Sequence, residues 1–109
     1  MALIRIEPAQ AISLQPPSEP LAMLTSALVK TDHFTAIHLV VEAGKEIPSH
    51  SVVGPLTLYC IEGQAELGLP DRTVTMNAGE WLFLDGGTPH SVRGIEASRL
   101  LLTVVLLPE

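Results

Sequence analysis

Turn residues cut this chain into short segments from Phe34 onward. They fall at Gly44, Gly54-Pro55, Gly63, Gly68, Pro70-Asp71, Asn77-Ala78-Gly79 and Asp85-Gly86-Gly87. The pieces between them are apolar and β-branched: FTAIHLVVEA, PLTLYCIEG, AELGLP, RTVTM, EWLFL, HSVRGI and RLLLTVVLLP. Many short strands separated by Gly/Pro turns predict an all-β sandwich or barrel. No segment sustains an amphipathic helix. The best candidate, LAMLTSALVK, is expected to end as a strand that pairs with Phe34 onward across a turn at Thr31-Asp32-His33.

With 109 residues the chain is long enough for one domain and too short for two. Residues 1–20 read as an extended arm, because four prolines fall between Glu7 and Pro20. The core is expected over about residues 25–107. From Leu100 to Leu107 only Thr103 is polar. A strand apolar at successive positions is covered on both faces, and a single small barrel covers only one. A second copy of the chain is the simplest cover, so a homodimer is expected.

Composition excludes several function classes. Six basic residues against twelve acidic ones give a net charge of −6. Nucleic acid and anionic membrane surfaces both demand a basic face, so neither is an expected partner. Aromatic residues are 4% of the chain, too few for a base-stacking platform. Cys60 is the only cysteine and lies in an apolar run. It is expected to be a buried structural thiol, with no disulfide and no Cys-x-x-Cys zinc cluster. MALIRIEPAQ lacks a basic segment followed by an apolar one, and no run approaches the ~20 apolar residues of a spanning helix. A cytoplasmic protein is expected.

Two histidines sit in matching settings. His50 follows Ile47-Pro48-Ser49, and His90 follows Asp85-Gly86-Gly87-Thr88-Pro89. By strand alternation His50 shares a face with Val52, and His90 with Val92. Leu56, Leu58 and Cys60 alternate onto another common face. In FTAIHLVVEA the wholly apolar face is Ile37, Leu39 and Val41, which turns His38 outward or toward a partner chain. His33 falls in the turn.

These spacings resemble the cupins. Their first motif runs Gly, five residues, His-x-His, three or four residues, Glu, six residues, Gly. Here Gly44, His50 and Gly63 stand at matching places, with Val52 for the second histidine and Leu56 for the glutamate. The second motif runs Gly, five residues, Pro-x-Gly, two residues, His, three residues, Asn. Here it is Gly79, Asp85, Gly87, His90 and Gly94. The resemblance implies a jelly-roll β-barrel of the double-stranded β-helix type, commonly dimeric, with a pocket inside. On it, His50, Val52, Leu56, Leu58, Cys60, His90 and Val92 line that pocket. Of the family's three histidines and one glutamate, only His50 and His90 are kept as metal ligands. A third could come from Cys60. The cofactor is either a weakly held divalent metal (zinc, nickel, iron or manganese) or none.

Three functions follow. The first is a binding module that holds a small organic ligand among aliphatic side chains, gripped by the two imidazoles. The second is a metal-dependent dioxygenase- or isomerase-like enzyme with a reduced ligand set. The third is metal-free acid–base catalysis by His50 or His90; Asp85 and Glu62 are near in sequence, but nothing in the sequence places a carboxylate to orient either imidazole.

Overall fold

The computed structural model describes residues 2–3, 6–14 and 24–107. Among these the regular elements are all strands: β1 (Ala2–Leu3), β2 (Ser26–Lys30), β3 (Phe34–Val41), β4 (Glu46–His50), β5 (Leu56–Glu62), β6 (Gln64–Gly68), β7 (Thr73–Asn77), β8 (Trp81–Leu84), β9 (His90–Gly94) and β10 (Ser98–Val105). They form a six-stranded sheet in the order β1-β2-β3-β10-β5-β8 and a four-stranded sheet in the order β4-β9-β6-β7. All pairings are antiparallel except β1 with β2. The architecture is all-β, as the turn spacing predicts. No helix among the described residues is long and apolar enough to cross a membrane. Of the N-terminal arm, residues 6–14 hold no strand and residues 15–23 lie outside the described residues.

The period-2 pattern decides what each sheet buries. In β5, Leu56, Leu58 and Cys60 are buried and face the core, while Thr57 and Tyr59 point away. On β10, Leu100, Leu102 and Val104 face inward. Leu39 and Val41 from β3, Leu67 from β6, Met76 from β7 and Val92 from β9 complete the filling between the sheets. Each such side chain contributes roughly 1.5–3 kcal/mol by leaving water.

β10 is central in its sheet, between β3 and β5. Its inward face is buried by the chain itself. Its outward face carries Leu101 and Thr103, half-buried, and Val105, exposed. The all-apolar run therefore has one face inside the fold and the other on the outside of a single chain.

One charged residue is buried on that outward face. Arg99 stands opposite Glu62, beside a register shift between Arg99 and Leu100. Its Nε donates to Glu62 Oε1, its Nη1 to His38 Nε2 at 3.1 Å and its Nη2 to the Leu14 carbonyl at 2.8 Å. His38 Nδ1 donates to the Leu24 carbonyl at 3.2 Å. His38 thus points outward, as its strand pattern requires, yet it is fully buried. Carbonyls of Leu14 and Leu24, from the N-terminal part of the chain, close over it.

Candidate functional site

β4 positions the first imidazole. Pro48 sits inside this strand, which lies at the edge of the four-stranded sheet, the place where a strand tolerates proline. The register with β9 runs Glu46 to Arg93 and Ile47 to Val92, then shifts so that His50 pairs with His90. Such a bulge re-aims a side chain. It brings the two rings together with centroids 4.5 Å apart and planes at 54°.

Each ring is fixed the same way. His50 Nδ1 lies 3.0 Å from the Pro48 carbonyl, and His90 Nδ1 lies 2.9 Å from the Thr88 carbonyl. A carbonyl only accepts, so both Nδ1 atoms carry the proton. In the neutral ring, Nε2 is then the acceptor. None of the described residues hydrogen-bonds to either Nε2. The site is thus a pair of lone pairs held by backbone, with His90 buried at 3% exposure and His50 on the open side.

Beneath the rings is a cavity of about 120 Å³ lined by Leu39, Ile47, His50, Leu58, His90, Val92 and Leu102. Four of the residues expected at the pocket line it: His50, Leu58, His90 and Val92. The other three lie elsewhere. Val52 comes after β4 has ended, half-buried in a loop where its carbonyl accepts from Gly87 N–H at 2.7 Å. Leu56 is buried in the core opposite Leu84. Cys60 is also buried, with Sγ 3.5 Å from the Glu62 carbonyl oxygen and 3.8 Å from that of Gly63. Burial, and to a lesser degree Glu80 and Glu62, raises its thiol pKa. Cys60 therefore does not join the two histidines.

Leu39, Ile47 and Leu102 line the cavity and were not singled out from sequence. Leu39 was already placed on the apolar inward face. Ile47 lies immediately before the register shift and opposite Val92, a register that no pattern in EIPSH announces. Asp85 and Glu62 do not orient the imidazoles. Both Nδ1 atoms are held by the backbone carbonyls of Pro48 and Thr88, and Glu62 pairs with Arg99.

A family model described as Cupin domain matches residues 37–106, well over half of the chain. The chain belongs to the cupins. The fold is that of a conserved protein of unknown function from Streptococcus pyogenes, at 28% identity and TM-score 0.81 over 100% of this chain and 98% of that one. An RmlC-like cupin protein from Desulfovibrio desulfuricans aligns over 88% of this cupin and 96% of its own length, at 22% identity and TM-score 0.74. A cupin superfamily protein from Desulfitobacterium hafniense aligns over 90% and 84%, at 15% identity and the same TM-score of 0.74. No curated protein matches the chain.

The metal set suggested by the motif resemblance does not fit the donors at this site. Two imidazole nitrogens converge, where a catalytic zinc or iron site wants at least three protein ligands. Val52 and Leu56 are hydrocarbons. Among the described residues no group of three or more His, Cys, Asp or Glu is placed to hold a metal ion.

Proposed function

We propose that this cupin is a binding module for a compact, mostly apolar organic molecule that presents a hydrogen-bond donor to His50 and His90. The observation that carries this reading is the tautomer imposed on both rings. With each Nδ1–H donating to a backbone carbonyl, the neutral pair offers two acceptors and no donor. A hydroxyl or an enol donates to one of the two, and a nitrogen with two protons can serve both. A carboxylate does not, unless a ring first takes up a proton.

The cavity wall supports the same reading. Leu39, Ile47, Leu58, Val92 and Leu102 supply hydrocarbon, with polar groups only at the imidazoles, the usual division of labour in a ligand pocket. Its volume of about 120 Å³ is a little below the ~150 Å³ cavity that holds a benzene ring. The ligand body is therefore small, on the order of six heavy atoms, with the rest toward the open side at His50. A cytoplasmic location is consistent with the single unpaired thiol of Cys60.

Phenol and toluene test the idea, because they share shape and differ in one donor. Titrations at pH 8, above the ordinary histidine range, are expected to show phenol binding about 10-fold tighter than toluene, the worth of one hydrogen bond. The difference is expected to vanish in His90→Ala. Equal binding of the two by the wild type, or tighter binding of benzoate than of phenol, contradicts the reading.

A further inference from the structure

A buried charged cluster lies on the outward face of the six-stranded sheet, apart from the imidazole pair. Three strands build it: β10 supplies Arg99, β3 supplies His38 and β5 supplies Glu62. Arg99 is 3% exposed and His38 is fully buried. The cover comes from the N-terminal part of the chain, as the carbonyls of Leu14 and Leu24.

The position of that cover is informative. Leu3 ends β1, at the edge of the sheet, whereas Leu14 meets Arg99 on β10, with β2 and β3 between them. By Leu24 the chain is back at the start of β2. Residues 6–14 hold no strand, and most of them are exposed. Their far end is fastened where Arg99 Nη2 donates to the Leu14 carbonyl at 2.8 Å.

The fastening depends on one protonation state. His38 Nδ1 donates to the Leu24 carbonyl at 3.2 Å, so Nε2 of the neutral ring is the acceptor for Arg99 Nη1 at 3.1 Å. A proton on Nε2 sets donor against donor and cation against cation at that distance. Among the described residues, the charged groups that act on His38 are Arg99 and Glu62. Its other neighbours by register are Ser26 on β2, whose hydroxyl donates to the Leu24 carbonyl, and Leu101 on β10. A protonated His38 therefore leaves two cations and one carboxylate in a place shut off from water. Burial and a like charge both oppose that state. The guanidinium or the imidazolium has to turn away, and either movement undoes the hold on Leu14 or on Leu24.

We propose that His38 and Arg99 form a proton-operated latch, which holds residues 6–14 on the sheet while His38 is neutral and releases them when it is protonated.

Burial decides that the release is local. The next residues on the same strands, Leu39 and Leu100, belong to the core between the sheets, and parting β3 from β10 would expose them. Residues 6–14 have less to lose, and segments with few buried apolar contacts open first. The sign follows from linkage. The released state takes up its proton at the ordinary histidine value of 6.5, and the latched state resists it. Release is favoured as pH falls below that value, by at most about 10-fold per pH unit for a single proton.

Limited proteolysis of the wild-type chain tests the latch, because cleavage tracks the population of the open form. Thermolysin cleavage within residues 6–14 is measured from pH 7.5 to 5.5 and divided by the rate for a free peptide of the same sequence at each pH. That ratio is expected to rise roughly 3- to 10-fold on acidification, while cleavage within β3 to β10 stays constant. Its midpoint is expected to coincide with the titration of the His38 ring, followed by NMR in the same protein. In His38→Gln, whose amide cannot be protonated in this range, the ratio is expected to stay flat.

A wild-type ratio that does not change with pH overturns the proposal. So does cleavage of the strands in step with residues 6–14, since the proton then opens the whole fold. A midpoint apart from that of the His38 ring, or an unchanged rise in His38→Gln, overturns it by assigning the proton to another group. The ring titration and the cleavage are both read on the wild type, so the test stands even if the variant does not fold.

Discussion

At the scale of single residues, most of the chemistry here is set by which nitrogen of a histidine carries its proton. His50 and His90 have Nδ1 spoken for by backbone carbonyls two residues upstream. His38 has the same tautomer but spends its Nε2 on Arg99. Burial holds the pKa of His38 below the ordinary 6.5, and the nearby Arg99 guanidinium adds to the effect. The Leu24 hydrogen bond and Glu62 work the other way. A histidine that resists protonation in the fold favours the unfolded chain once pH falls below 6.5. His38 is therefore expected to lower stability as pH falls from about 7 toward 5. Urea midpoints should drop over that range in the wild type and drop less in His38→Gln, whose amide can still serve Arg99 and Leu24. Cys60 has the opposite sign. Its raised pKa keeps the thiol protonated, and that contribution is lost as pH rises above 9.0, the ordinary thiol value.

The residue-scale surprises have a physical origin. His50 and His90 were legible because their spacing from glycines matches two motifs in order. The Arg99–Glu62–His38 cluster was not. A register shift sets Glu62 opposite Arg99, and strand alternation alone does not show such shifts. Replacing Glu62 by Ala leaves a buried guanidinium without a counter-ion. Because the Glu62 side chain is 43% exposed, the expected cost is about 2 kcal/mol, below the 3–5 kcal/mol of a fully buried pair. Chemical denaturation measures it.

At the scale of elements, β4 matters most for function and was the hardest to foresee. Its sequence, EIPSH, has one apolar residue besides a proline, and most of it is exposed. It earns its place as an edge strand whose irregular register aims His50 at His90. β5 and β10, by contrast, announced themselves through alternation and apolar length. Leu58 on β5 belongs to the core and also lines the cavity. Leu58→Ala is expected to cost about 2–5 kcal/mol, and the enlarged cavity should admit a bulkier ligand than phenol. Close backbone packing also fixes the loop after β4. A Cβ on Gly54 would lie 1.8 Å from the Val105 carbonyl oxygen, a backbone atom that cannot swing away. Gly54→Ala is therefore expected to destabilise by more than the ~1 kcal/mol that such a change can gain at a site with room for it. Thermal melts should separate it from Gly44→Ala, where φ is +79° but no atom lies within 4 Å of the added carbon.

At the scale of the whole molecule, two sheets enclose an aliphatic chamber with a pair of imidazoles at one side. The all-β class and the cupin family were legible from turn spacing and motif order, because both depend on local chemistry. The outward face of the six-stranded sheet that carries Phe34, Tyr59, Trp81 and Phe83 was not, since these are far apart along the chain and come together only through pairing of β3, β10, β5 and β8. The proposed binding role rests on both imidazoles presenting Nε2 lone pairs to the chamber. Long-range ¹H–¹⁵N correlation spectra of the neutral protein read tautomers directly. A protonated Nδ1 and an unprotonated Nε2 in both His50 and His90 are expected. An Nε2–H tautomer in either ring contradicts this, because the site would then offer a donor in place of an acceptor.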